Sequence, residues 1–301
     1  MAVLSPASSA SPEKIKHGLE ALWSLGYDAV ASEHALGKHP PYFSGTPEER
    51  LDDLHRAFAD PEIRAIICTR GGYGSNYMLE GLDLDLIRRH PKPFFAYSDM
   101  TAVQTWLLDQ IGLVSFHGPM VAADFSVQNG VHLESFRSSV TTGMVEAGAE
   151  QGLRVLRPGR ARGVIYGGCL SILTAALGTR YSPQTEGKLL FLEDVGTKPY
   201  QIDRMLRQMI LAGKFEGARG FIFGEMLDCG SRGADPDLLQ QVILRLLGPL
   251  EVPIAIGLRS GHVSGGNVTL PLGIEAELNL ESDQPLLRYL EPAVNPPKHA
   301  G

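Results

Sequence analysis

Short apolar runs that stop abruptly at small or polar residues constrain this chain more than any other feature. Ala65–Cys68 breaks into Thr69-Arg70-Gly71-Gly72-Tyr73-Gly74, Pro93–Tyr97 into Ser98-Asp99, and Leu189–Leu192 into Glu193-Asp194-Val195-Gly196. Unbroken apolar runs of this length suit strands buried on both faces, the condition of a parallel sheet covered by helices. The covering helices are legible in the first half. One opens with Ser11 as N-cap and Pro12 at its first position, carries Ile15, Leu19, Leu22 and Trp23 as its buried stripe, and ends at Gly26. Another follows Thr46-Pro47-Glu48-Glu49, a capping box ahead of Leu51, Leu54 and Phe58. Ala2–Leu4, running into Ser5-Pro6-Ala7-Ser8, and Tyr27–Ala31 supply two more strands. Strands alternating with helices predict an α/β fold whose strand ends face a ligand crevice.

From Ser126 to Gly159 periodicity fades, and Arg154–Arg162 holds four arginines, a proline and a glycine. That stretch reads as a connector and divides the chain into residues 1–150 and 160–301. The second part is expected to hold a helix over Gly168–Gly178, a strand at Lys188–Glu193, a helix over Ile202–Ala212 and strands at Gly220–Phe223 and Ile254–Gly257. Alternation at Asn267–Leu270 and Ile274–Leu280 predicts half-exposed antiparallel strands, followed by a Pro-rich tail.

With 301 residues, 44% hydrophobic and 20% charged, the chain can bury a large core. Its net charge is −7 and no Lys/Arg cluster recurs, so nucleic acid is not an expected partner. Cys68, Cys169 and Cys229 are few, odd in number and set among apolar or glycine neighbours, as reduced core thiols are. The start, MAVLSPASSA, lacks the basic and apolar regions of a signal peptide, and no apolar stretch is long enough to span a membrane. A cytoplasmic protein without a membrane partner is expected. The nine histidines are scattered without metal-ligand spacing, so no metal is expected. The glycines of Gly71-Gly72-Tyr73-Gly74 do not match a dinucleotide fingerprint, and no cofactor is expected.

Ser98 follows a strand and precedes Met100-Thr101-Ala102-Val103, a sharp strand-to-helix turn. A serine there either presents its hydroxyl as a nucleophile beside free helix amides or, with Asp99, merely caps the helix. Glu193 ends a strand, and His262 lies in the glycine-rich loop Ser260-Gly261-His262-Val263-Ser264-Gly265-Gly266. A serine hydroxyl needs an imidazole to accept its proton and a carboxylate to orient that imidazole, so Ser98, Glu193 and His262 form a candidate catalytic set. The Asp99 amide and one from Gly72 are candidates for holding an oxyanion.

Five stretches carry a resemblance to the LD-carboxypeptidase family of serine peptidases. They are Arg70-Gly71-Gly72-Tyr73-Gly74; Tyr97-Ser98-Asp99-Met100-Thr101 with His117-Gly118-Pro119; Gly167-Gly168 through Leu177-Gly178-Thr179; Glu193-Asp194 through Tyr200-Gln201-Ile202-Asp203-Arg204-Met205-Leu206; and Gly261-His262 with Leu270-Pro271-Leu272-Gly273. The resemblance spans essentially the whole chain. It implies Ser98 as nucleophile, Glu193 as acid, His262 as base and the Gly72 and Asp99 amides as oxyanion hole. It also implies a Rossmann-like N-terminal domain, a smaller C-terminal α/β domain, a site at their junction and a homodimer. The expected activity is hydrolysis of an amide between an L-residue and a D-amino acid, as in releasing terminal D-alanine from a murein tetrapeptide. A peptidyl-nucleotide antibiotic, as in the microcin immunity branch, is the rival substrate, and a non-catalytic peptidoglycan-fragment binder the rival of another class. Arg70 and Arg204 are candidates for pairing with substrate carboxylates, although Arg204 could equally pair with Asp203 or Glu193. Cys169 and Thr197 depart from residues common in the family and leave specificity open.

Overall fold

The computed structural model describes residues 1–141, 145–230 and 235–294. Five short strands form a parallel sheet: β1 (Ala2–Leu4), β2 (Val30–Ala31), β3 (Ile66–Cys68), β4 (Phe94–Ala96) and β5 (Ser115–His117), in the order β2-β1-β3-β4-β5. All residues of β1, β3, β4 and β5 are buried, as the unbroken apolar runs of the first three require; β5 buries Ser115 and His117 beside Phe116. The expected strand Tyr27–Ala31 shrinks to two residues because it lies at the sheet edge, where pairing is one-sided. From β1 the chain moves outward to β2 and then returns past β1 to β3. The carboxyl ends of β1 and β3 therefore flank a topological switch point, where open α/β sheets form their ligand crevice.

Helices α1 (Pro12–Ser24), α2 (Pro47–Ala59), α3 (Leu84–Arg89) and α4 (Thr101–Ile111) accompany this sheet. The α2 capping box forms, with Glu49 N–H on Thr46 Oγ1 at 3.2 Å and Thr46 N–H on Glu49 Oε2 at 2.8 Å. Ser11 takes the N-cap position of α1 without a side-chain cap bond. Ile15 and Leu22 are buried as expected, but Trp23 is 52% exposed. One residue beyond Leu22 lies a quarter-turn around the helix, so its ring covers the surface and its indole N–H donates to Ala29 O at 2.9 Å.

The second sheet contains β6 (Glu146–Gly148), β7 (Arg154–Arg157), β8 (Arg160–Cys169), β9 (Lys188–Glu193), β10 (Gly220–Gly224) and β11 (Ile254–Leu258). Three further strands, β12 (Leu270–Leu272), β13 (Glu275–Asn279) and β14 (Leu286–Tyr289), follow. Its order is β6-β14-β13-β8-β9-β10-β11-β7, with β8 to β11 parallel and the flanks antiparallel. Helix α5 (Leu133–Thr141) precedes it, and α6 (Leu170–Ala175), α7 (Pro199–Leu211) and α8 (Leu238–Leu247) lie within this half. The arginine-rich stretch forms β7 and the start of β8. Arg160 and Arg162 are two apart on β8, share one face and both grip Glu277 of β13, at 2.8 and 2.9 Å. Composition alone concealed that period of two.

β12 leaves its neighbours and joins the first sheet, antiparallel to β5, with Leu270 opposite His117. Asn267–Leu270 is accordingly buried throughout rather than half-exposed, whereas β13 does alternate. The Pro-rich tail beyond residue 294 lies outside the described residues. The three cysteines are free and buried. No helix among the described residues is long and apolar enough to cross a membrane.

Candidate active site

Tyr97 closes β4 in extended conformation, and Ser98 then turns to φ 65°, in the left-handed region that non-glycine residues avoid. Such backbone costs about 1–3 kcal/mol and persists only where the surroundings enforce it. Here the buried strand on one side and α4 on the other hold the turn. The Gly71 backbone runs directly beneath it: a Cβ on Gly71 would sit 2.7 Å from Ser98 Cβ and 2.9 Å from its Oγ. Gly72, at φ 106°, is packed on Ser8 from the loop after β1. Ser8 Oγ accepts the Tyr73 amide at 3.1 Å, while the Gly72 amide has no hydrogen-bond partner among the described residues. Asp99 turns its carboxylate away from the cleft to accept the Ser75 amide at 2.7 Å, and its carbonyl accepts Ser75 Oγ at 2.6 Å. Burial pushes the Asp99 carboxyl up, against the Ser75 hydrogen bonds and the Arg50 charge.

Glu193 ends β9 fully buried. Its Oε2 accepts both His262 Nδ1–H at 2.7 Å and the His262 amide at 3.1 Å, fixing ring and backbone together. The His262 ring stands edge-on to Tyr97, 5.1 Å between centroids. Burial works to lower the imidazole pKa, but the charge and hydrogen bond of Glu193, with Asp194 and Asp124 behind, outweigh it and raise the pKa above its ordinary value. Burial likewise works to raise Glu193, and the His262 charge overrides it, so the carboxyl stays well below the usual range. The loop carrying His262 is closed by Asn267, whose Oδ1 accepts the Gly261 amide at 3.0 Å. Its Nδ2 donates to Gly261 O at 3.2 Å and to Asp124 Oδ1 at 3.1 Å.

Ser98, Gly71, Gly72, Arg70 and His262 line one cleft of about 350 Å³ at the switch point. Ser98 Oγ makes no hydrogen bond among the described residues, so the hydroxyl and His262 share the cleft without a hydrogen bond between them. Catalytic hydrogen bonds are commonly loose before substrate binds. Arg204 is not brought there. It is exposed on α7 over the Tyr200 ring at 5.7 Å, and Asp203 pairs with Arg245 instead. Thr197 and Cys169 meet at Asp194, next to Glu193: Thr197 Oγ1 donates to Asp194 Oδ1 at 2.7 Å and Cys169 Sγ lies 3.9 Å from Oδ2.

Family models of the LD-carboxypeptidase N-terminal and C-terminal domains match residues 1–118 and 162–278. The chain belongs to the LD-carboxypeptidase family. A Bacillus subtilis (strain 168) member named "Probable murein peptide carboxypeptidase" is 36% identical over 92% of this chain and 88% of its own length. The crystal structure of muramoyltetrapeptide carboxypeptidase from Oxalobacter formigenes superposes with TM-score 0.85 at 27% identity, covering 96% of this chain and 97% of that one. An MccF-like protein from Bacillus anthracis superposes with TM-score 0.84 at 27% identity, covering 96% of each chain.

Several residues of this LD-carboxypeptidase-family site were invisible to sequence reasoning. Arg50, on α2, is buried and donates from Nη1 to Pro6 O and Gly74 O, both at 2.8 Å, and from Nε to Gly45 O at 3.2 Å. It thereby ties the loop after β1 to the Gly71–Gly74 loop. Asp124 anchors Asn267, accepts the Met120 amide at 2.8 Å and is raised to about 6 by burial. Exposed Lys14 on α1 lines the same cleft. The capping box ahead of Arg50 marked its helix, but nothing in the sequence marked the inward face.

Proposed function

We propose that this chain is a serine-type LD-carboxypeptidase in which Ser98 attacks the scissile carbonyl, His262 is general base and Glu193 orients the histidine. The observation that carries this reading is the left-handed Ser98 turn facing a histidine whose Nδ1 is held by a buried carboxylate. With Nδ1 protonated against Glu193, Nε2 is free to accept the Ser98 proton as Oγ bonds to the carbonyl carbon. The Gly72 and Asp99 amides receive the oxyanion, each such donor contributing roughly 3–4 kcal/mol in characterised hydrolases. The imidazolium then protonates the leaving amine, and water reverses the steps to free the acid. Glu193 stays ionised throughout, and its charge favours the imidazolium.

The leaving group of a carboxypeptidase carries a free carboxylate close to the scissile bond. Arg70 and Lys14, both cationic and both on the cleft, supply its counter-charge. Arg204, held over Tyr200 on the surface, is left out of the binding set. The murein peptide names of relatives support a murein tetrapeptide as substrate; release of its terminal D-alanine, peptidoglycan recycling and a cytoplasmic location complete the proposal. The division of the chain between residues 150 and 160 and a homodimeric state belong to the same reading. Purified protein incubated with UDP-MurNAc tetrapeptide is expected to release D-alanine, detected by mass spectrometry, and Ser98→Ala is expected not to. Release by both proteins would remove Ser98 from the mechanism; release by neither, with cleavage of an aspartyl sulfamoyl adenylate by the wild type, would move the substrate to the antibiotic class.

A further inference from the structure

Glu193 uses only one of its oxygens on His262. The other, Oε1, is buried and has no hydrogen-bond partner among the described residues, and the atom facing it is Nε2 of a second histidine, His117, 3.8 Å away. His117 Nε2 is itself buried and unpartnered among the described residues. The ring is fully enclosed: it sits on β5 between Tyr97 and Phe191, with centroids at 5.7 and 4.9 Å. Its Nδ1 lies 3.1 Å from Ser260 Oγ, two residues before His262. Gly261 between them has no room for a side chain, because a Cβ would lie 2.6 Å from His117 Cε1 and 2.8 Å from Glu193 Cδ. Two histidines, the carboxylate and the base-bearing loop thus converge on one point.

The partners decide the tautomer. A carboxylate oxygen can only accept, so Nε2 carries the hydrogen facing Oε1, and Nδ1 accepts from the Ser260 hydroxyl, which lies nearer Nδ1, at 3.1 Å, than the His117 carbonyl, at 3.4 Å. A buried donor and a buried acceptor left apart each carry an unmet desolvation cost, so closing the gap is favourable. Closing it takes an approach from 3.8 Å to about 3.0 Å.

We propose that His117 is a positioning residue that closes its Nε2–H onto Glu193 Oε1, locking the carboxylate plane that orients His262 and tempering the charge that His262 feels. The proposal deepens the Ser98–His262–Glu193 reading and rests on it. The groups facing His262 are Glu193, Asp194 and Asp124, with Tyr97 against its ring and the cations Arg70 and Lys14 across the shared cleft; those facing Glu193 are the two histidines, Tyr97 and the thiols of Cys169 and Cys229. Of these, only His117 places a donor at Oε1.

Four variants, Ser98→Ala, His117→Phe, His117→Gln and His117→Asn, are to be assayed for kcat and KM on UDP-MurNAc tetrapeptide across pH, with His262 titrated by NMR. His117→Phe should lower kcat by about 100-fold, the cost of a misplaced catalytic group, with KM little changed. It should also move the acid limb and the His262 titration to higher pH, because the undiluted Glu193 charge then holds the imidazolium more firmly. Gln, whose amide N–H reaches the Nε2 position, should restore both readouts; Asn, which reaches only the Nδ1 position, should not. An unchanged acid limb and titration in His117→Phe, or rescue by Asn and not Gln, overturns the proposal. Should His117→Phe fail to fold, the Gln and Asn pair decides alone. Activity retained by Ser98→Ala would instead overturn the underlying triad reading.

Discussion

Gly71→Ala tests how the Ser98 turn is built. Gly71 does not have the positive φ that demands glycine, so space alone is at stake. The new Cβ would meet Ser98 Cβ at 2.7 Å and the Asp99 amide nitrogen at 3.2 Å, both fixed to backbone rather than at the end of a flexible side chain. Restoring contact of 3.4 Å requires about 0.7 Å of movement in one of the two loops. Overpacking of this sort costs roughly 1–3 kcal/mol, or about 2–5 °C in Tm for a chain of this size. A displacement approaching 1 Å at the reacting hydroxyl lowers turnover by about 100-fold. Activity on UDP-MurNAc tetrapeptide and differential scanning calorimetry read the two effects. Gly248→Ala is the control, since Gly248 is helical at φ −53° and an added Cβ meets nothing within 4 Å. Wild-type kcat and Tm in Gly71→Ala would refute the close approach as the constraint on Ser98.

Glu193→Gln removes the charge that raises His262, so kcat is expected to fall by about 10⁴-fold and the acid limb to move to lower pH; an unmoved limb would separate Glu193 from the base. Arg50→Met leaves the carbonyls of Pro6 and Gly74 without their buried donor and should cost about 2–4 kcal/mol in urea unfolding, whereas an unchanged midpoint would show the guanidinium to be dispensable. Acid unfolding should expose the depressed Glu193 carboxyl: its contribution is full above the unfolded value of about 4.3 and is lost as pH falls through the folded value. The slope of stability against pH below 4.3 should therefore be shallower in Glu193→Gln, and an equal slope would refute the assignment.

What the sequence discloses here follows a physical line. Ser98, Glu193 and His262 were legible because two end unbroken apolar strands and the third sits in a glycine-rich loop; local pattern marks a strand end. Their convergence was not legible, because it depends on β12 crossing to β5, and no local period encodes which sheet a strand joins. Arg50 escaped for a related reason. A charged residue on a capped, amphipathic helix looks solvent-facing until the loops that bury it are placed. Trp23 erred in the opposite direction, since hydrophobicity placed inward a ring that helical phase turns outward. Arg204 drew notice through its neighbours in a matching stretch, yet α7 points it away from the cleft.

The pairing of Leu270 with His117 also sets when the enzyme can exist. Ser98 is synthesised long before β12, the strand that docks the His262 loop beside it. During translation the first sheet carries an unpaired edge at β5 until β12 follows, and forming a contact between residues so far apart in sequence is the natural slow step of folding.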